Sequence, residues 1–225
     1  WGARVVGLIW QLIWQLLFRG DFFPGGRINS AAISAIDIAL WDIKGKALNQ
    51  PVYMLLGGCM RDKVVCYKGI GGRTPADSAR SARQRVDQGW QFLRLSVMDR
   101  DGILEPRTAV RDSVAHFAAV REEVGPEIDI VIDYHTRLDT PDAIKLGREL
   151  EPYDPFFLED PLRCENPQTY RQIRQHVSTP LAVGEHYATK WEFRQMIEEE
   201  LLDYARIDLC IVGGLTEARK IANWC

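Results

Sequence analysis

The passage DIVIDYHTRLDTPDAIKLGRELEPYDPFFLED (129–160) reads as strand, helix, strand, with an acid at the end of each strand. Its first apolar run, DIVIDYH (129–135), stops abruptly at Asp133 and His135. Residues i and i+2 of a strand point to the same side, so the acid and the imidazole are expected to emerge together. The middle, PDAIKLGRELEP (141–152), has amphipathic helical spacing, and FFLED (156–160) returns to the strand pattern with Glu159 near its end.

Outward from this passage the same alternation repeats. Strand-type runs are VVCYKGI (64–70), FLRLSV (92–97), LAVGEH (181–186) and YARID (204–208). Amphipathic helical stretches fill the gaps: 75–89, 108–125, 166–177 and 189–202. Alternating strand and helix predicts parallel β/α units. Asp133 and Glu159 are 26 residues apart, as are Glu159 and Glu185, and Asp208 follows 23 residues later. Successive strands are thus expected to deliver acids at their C-terminal ends, the face that carries chemistry in parallel α/β folds. An open doubly wound sheet gathers its ligand contacts at one switch point, so acids on four successive strands favour a barrel. The expected fold class is α/β, an incomplete TIM-type (β/α) barrel with about six βα units, the last ending inside ARKIANWC (218–225).

Ahead of these units lie two helical stretches. VVGLIWQLIWQLLF (5–18) has the length of a secretory core but no small-residue cleavage site after it. It is also shorter than the roughly 20 residues a membrane span takes. A packed helix is expected there. SAAISAIDIALWDIKGKAL (30–48) is apolar nearly all round and is expected to be a buried helix, stopped by Asn49-Gln50-Pro51.

Composition narrows the function. The 225 residues carry a net charge of −3 with acids and bases interspersed, and no basic stripe points to nucleic acid. No stretch points to a membrane. Five cysteines at scattered spacings without a C-x-x-C read as thiols of a reducing, cytoplasmic compartment.

Three carboxylates at matching strand ends repel one another unless a cation joins them, and oxygen-only ligation selects a hard ion such as Mg²⁺. Asp133, Glu159 and Glu185 are therefore the candidate ligands; taken singly, each could equally cap a helix or pair with an arginine. Arg94 cannot serve as a base, and either neutralises an anionic substrate or pairs with a helix-facing acid. His135 is placed to act as a general acid or base. Asp208 suits a residue that orients a catalytic group. His186 is expected to face away from the site, and His116 and His176 to lie on helix surfaces.

AISAIDIALWDIKGK (32–46), running on to PVYMLLG (51–57), with FLEDP (157–161), LAVGEH and GGLTEARKIA (213–222), resembles the mandelate racemase group of the enolase superfamily. The resemblance covers the chain from about residue 14 to 225. It implies an α+β capping domain whose helical part occupies 1–60, and a barrel domain over 61–225. It also implies a Mg²⁺ site on Asp133, Glu159 and Glu185, and abstraction of the proton α to a carboxylate. Within the superfamily the Asp-x-His at 133–135 is most similar to acid-sugar dehydratases of the galactonate dehydratase type. There the matching histidine protonates the departing 3-hydroxyl, and Asp208 matches the aspartate of a His–Asp dyad. Arg94-Leu95-Ser96 departs from the Lys-x-Lys of racemases and lactonizing enzymes, which favours a one-sided elimination.

The expected reaction is dehydration of a sugar acid to a 2-keto-3-deoxy acid, with a homo-oligomer expected for the full-length form. The resemblance puts the base on a seventh strand beyond residue 225, so this chain alone is expected to be feebly active. A racemase, epimerase or cycloisomerase on the same scaffold, or an inactive metal-binding fragment, are the alternatives. GDFFPGGR (20–27) is the stretch expected to bear on substrate stereochemistry.

Overall fold

The computed structural model describes residues 2–20, 22–99 and 105–225, with side chains described from residue 11 onward. The chain divides into two compact units: Val65–Val183 with Glu200–Tyr204, and Trp1–Val64 with Gly184–Glu199 and Ala205–Cys225.

The strands are β1 (Lys68–Gly69), β2 (Phe92–Ser96), β3 (Asp129–Asp133), β4 (Leu158–Glu159), β5 (Leu181–Val183) and β6 (Tyr204–Ala205). They form one sheet in strict chain order, and the first five pair parallel. Every expected run yields a strand, but shorter than its apolar length. Helices α4 (Pro75–Asp87), α5 (Pro106–Val124), α6 (Thr140–Leu150), α7 (Tyr170–His176), α8 (Lys190–Glu198) and α9 (Gly214–Ala222) fill the expected gaps. Polar residues start them: Thr74 and Asp77 form a capping box on α4, Thr189 and Glu192 one on α8.

In the first unit the period-2 rule sorts the strands into two faces. Leu93, Leu95, Ile130, Ile132, Leu158 and Leu181 are fully buried and make the apolar core. The other face begins with a packed layer of Phe92, Val131, Phe157 and Ala182, against which Tyr67 and Phe156 lie. One step further along the same face the residues become Arg94, Asp133 and Glu159. An aromatic floor thus underlies a charged layer.

In the second unit α1 (Gly2–Arg19), α2 (Gly26–Ala47) and α3 (Val52–Leu55) precede the sheet. The helix expected over 5–18 is present, with Trp14 buried while Leu12 and Leu16 are exposed. Helix α2 corrects an expectation. It is not buried all round: Ser30, Ile33, Ser34, Asp37, Trp41 and Gly45 form one buried stripe, while Ile36 and Ile43 are exposed. The stripe is partly polar because it meets the start of α9. Ser34 Oγ accepts the Gly213 N–H at 2.9 Å, and Asp37 accepts both the N–H and the hydroxyl of Thr216, at 3.0 and 2.5 Å. Trp41 Nε1 donates to Thr216 Oγ1, and Trp14 Nε1 to the Gly213 carbonyl, each at 3.0 Å. The free N–H groups of a helix start are thereby satisfied from another helix. Burial pushes the Asp37 carboxyl above its ordinary value, and the bonds from Thr216 only partly oppose it.

His116 is a second correction. It is not on the surface but 2% exposed, held 2.8 Å from Ser78 Oγ where α5 packs on α4. His176 is exposed, as expected.

Candidate active site

The charged layer of the first unit is built by register. Ser96 pairs with Asp133, and Asp133 with Glu159, so three neighbouring strands present these side chains at one level. Asp133 and Glu159 are 2% and 1% exposed, which makes them buried carboxylates in need of counter-charge.

Arg94, from β2, supplies part of it. Its Nε lies 3.0 Å from Asp133 Oδ2, its Nη2 contacts the same oxygen, and its Nε is 4.0 Å from Glu159 Oε2. Burial opposes the guanidinium's charge, yet the bond and charge of Asp133, with the charge of Glu159, outweigh it and hold the pKa above its usual value. Of the two roles the sequence left open for Arg94, the contact is with the site acids and not with a helix.

His135 reaches Asp133 by a different route from the one its spacing implies. Strand β3 ends at Asp133, and His135 and Thr136 take left-handed φ values of 47° and 53°. The turn is fixed by the His135 N–H donating to Asp133 Oδ1 at 2.8 Å and the Thr136 N–H to the Asp160 carbonyl at 3.0 Å. His135 Nε2 then sits 2.9 Å from Asp133 Oδ2 and 2.8 Å from Arg94 Nη2, with the ring about half exposed. A local turn brings the two together, not the strand repeat.

Tyr67 is a site residue that sequence reasoning missed. Its hydroxyl lies 3.0 and 3.2 Å from the two oxygens of Glu159, and Arg94 stands over its ring at 5.9 Å. Nothing in VVCYKGI distinguishes this tyrosine from a core aromatic.

Glu185 and Asp208 belong to the other compact unit. Along the chain, Glu185 stands three residues after Ala182, the strand partner of Glu159. Gly184, at φ 135°, turns the chain between them. Glu185 and Asp208, with Ala205, Arg206 and Ile207, line a cavity of about 480 Å³. Asp208 Oδ1 accepts the Cys210 N–H at 2.8 Å, and its carbonyl accepts from Ile211 and Val212. His186 Nε2 lies 3.9 Å from Glu185 Oε1. Arg27 donates to the carbonyls of Glu185 and His186 at 3.1 and 3.3 Å. Arg27 belongs to the 20–27 stretch, of which Asp21 lies outside the described residues.

This combination of sequential parallel β/α units, a leading helical region and acids at strand ends is matched by known proteins. Residues 77–225 fit the enolase C-terminal domain-like family, and residues 3–57 fit the mandelate racemase/muconate lactonizing enzyme N-terminal domain. The chain belongs to this branch of the enolase superfamily, and carries about six βα units of its TIM-type barrel after the helical part of the capping region. D-galactonate dehydratase of Cronobacter sakazakii is 39% identical over 210 residues, 93% of this chain and 55% of that protein. The chain thus spans about half the length of the curated relatives it matches. Among solved structures, an enolase superfamily member from Salmonella Typhimurium superposes with a TM-score of 0.89 at 35% identity, covering 95% of this chain and 61% of that one. An enolase from Pantoea ananatis with bound D-gluconate and Mg gives 0.87 at 31% identity, covering 96% and 60%. Among the described residues no helix is long and apolar enough to cross a membrane.

Proposed function

We propose that this chain is part of a Mg²⁺-dependent hydro-lyase that dehydrates an aldonate-type sugar acid to a 2-keto-3-deoxy acid. The observation that carries the reading is the buried, register-paired Asp133 and Glu159 with His135 Nε2 beside Asp133. The relatives named D-galactonate dehydratase and the gluconate-bound neighbour support the substrate class.

Asp133, Glu159 and Glu185 are assigned as the ligands. The donor set fits a hard cation: two carboxylates shielded from water, with the Arg94 guanidinium offsetting part of their charge. When bound, Mg²⁺ supplies positive charge against the negative charge that develops on the substrate carboxylate as the C2 proton leaves. Tyr67 holds the Glu159 carboxylate in place by its hydroxyl, which donates to it. His135, half exposed on its turn, gives a proton to the departing 3-hydroxyl. Asp208 orients the group that takes the C2 proton. Residues 1–60 are assigned to the capping domain and 61–225 to the barrel. Five free cysteines support a cytoplasmic setting, and a homo-oligomer is proposed for the full-length form.

The test is incubation of the whole enzyme of which this chain is proposed to be part with Mg²⁺ and a panel of aldonates, following 2-keto-3-deoxy product and, in parallel, C2 deuterium. Keto product with loss of water is expected. Exchange or inversion at C2 without dehydration would move the reading to a racemase or epimerase.

A further inference from the structure

The cavity between Glu185 and Asp208 has both its ends tied to one helix that contributes nothing to its lining. At the Glu185 end, Arg27 in the first turn of α2 donates to the carbonyls of Glu185 and His186. A guanidinium bonded to two successive carbonyls fixes the peptide plane between them, and so the direction in which the Glu185 side chain leaves the backbone. At the Asp208 end, the turn 208–212 is closed by its own hydrogen bonds onto Asp208 and runs straight into Gly213. Gly213 is held on both sides: its N–H donates to Ser34 Oγ and its carbonyl accepts from Trp14 Nε1. Three residues on, Asp37 binds the Thr216 N–H and hydroxyl. Ser34 and Asp37 are 0% and 4% exposed, so water does not compete for these bonds. A side chain at Gly214 would collide with Asp37, its Cβ lying 2.4 Å from Oδ2, which shows how closely the two helices approach.

We propose that α2 is a brace that sets the separation of Glu185 and Asp208, with Arg27, Ser34 and Asp37 as positioning residues. The proposal rests on the roles given above to Glu185 and Asp208. It also accounts for the polar stripe of α2: these groups are buried because they reach across to α9 and not because the helix is enclosed.

The experiment is residue-resolved amide exchange on the 225-residue chain carrying Arg27→Ala, Ser34→Ala, Asp37→Ala or Asp37→Asn, with thermal melting and Mg²⁺ titration calorimetry on the same samples. Arg27→Ala is an exposed substitution and should leave the melting temperature within about 1 °C. It should nevertheless speed exchange of the Tyr187 amide, which donates to the Gly184 carbonyl at 2.9 Å, about tenfold and weaken Mg²⁺ binding by a similar factor. Ser34→Ala should do the same to the Gly213 amide, and Asp37→Ala to that of Thr216. Asp37→Asn, which keeps an acceptor for the Thr216 N–H, should restore most of the protection. Amides of α4 and α5 serve as the unchanged control. Exchange within about twofold of the unsubstituted chain in both Arg27→Ala and Ser34→Ala would overturn the brace, and these two variants decide it should Asp37→Ala fail to fold. Failure of the unsubstituted chain to bind Mg²⁺ would count against the metal reading alone, because the exchange rates do not depend on it.

Discussion

Arg94 Nη2 and His135 Nε2 stand 2.8 Å apart, and both approach the same Asp133 oxygen. A guanidinium offers only protons, so His135 faces Arg94 with a lone pair. Asp133 Oδ2 offers only lone pairs, so its bond to Nε2 requires a proton there. Nε2 satisfies one neighbour at a time, and the tautomer of His135 decides which.

Removing Arg94 therefore exposes the site's need for charge. Arg94→Leu leaves a buried carboxylate without its partner and should lower stability by about 3 kcal/mol. Because the lost charge offsets part of that of Asp133 and Glu159, added Mg²⁺ should raise the melting temperature of the variant more than that of the parent. Melting curves with and without Mg²⁺ check this; equal shifts would show that Arg94 does not offset the same charge.

Tyr134 lies between two polar site residues but turns into the core. It is fully buried, and among the described residues its hydroxyl has no hydrogen-bond partner. Tyr134→Phe should therefore stabilise the fold by roughly 1 kcal/mol. Burial also raises the phenol's pKa well above its ordinary 10.0. A raised pKa means the folded state keeps the proton longer, so stability is full below about pH 10 and falls as the pH rises through the folded value. The variant should lack that alkaline component, which urea melts at pH 9 and above would read.

Glu151 gives the opposite sign. The Ser178 N–H donates to its Oε1 at 2.8 Å and the Ser178 hydroxyl at 2.9 Å, and these bonds hold the carboxyl below its usual value. A lowered pKa contributes stability above the unfolded value, near 4.5, that is lost as the pH falls through the folded one. The site is largely in water, so Glu151→Gln should cost only a few tenths of a kcal/mol at neutral pH. Its mark is a flatter acid limb of the unfolding curve below about pH 5.

Gly184 tolerates no side chain. Its φ of 135° favours glycine, and a Cβ would lie 2.5 Å from Phe193 Cε1 and 2.9 Å from the Arg206 carbonyl. Gly184→Ala should cost on the order of 3 kcal/mol. Since Glu185 follows directly, Mg²⁺ affinity measured by calorimetry should fall as well.

How much of this is legible in the sequence depends on how far each feature reaches. The alternation of strands and helices is written in local periodicity, and every expected unit is present. Asp133 and Glu159 are legible because one β/α unit, β3 to β4, carries the first acid directly to the level of the second. Glu185 follows β5 across a bend at Gly184, and the 26-residue spacing alone gives no sign of that bend. The strand repeat predicts the neighbourhood of His135 and Asp133 but not its cause, because a left-handed turn at two non-glycine residues leaves no strong local signal. The polar stripe of α2, the buried His116 and the role of Tyr67 depend on partners tens of residues or more away. Ser30, Ser34 and Asp37 do stand at helical spacing, but only α9 tells why.

The strand order, unbroken from β1 to β6, has a kinetic meaning. Each strand's partner is the next one in the chain, so every pairing spans a single β/α unit. Arg94, Asp133, His135 and Glu159 all fall on β2, β3, β4 or the turn after β3. The pairings that bring these four residues together thus involve residues 92–160 alone, and need neither β5 nor β6.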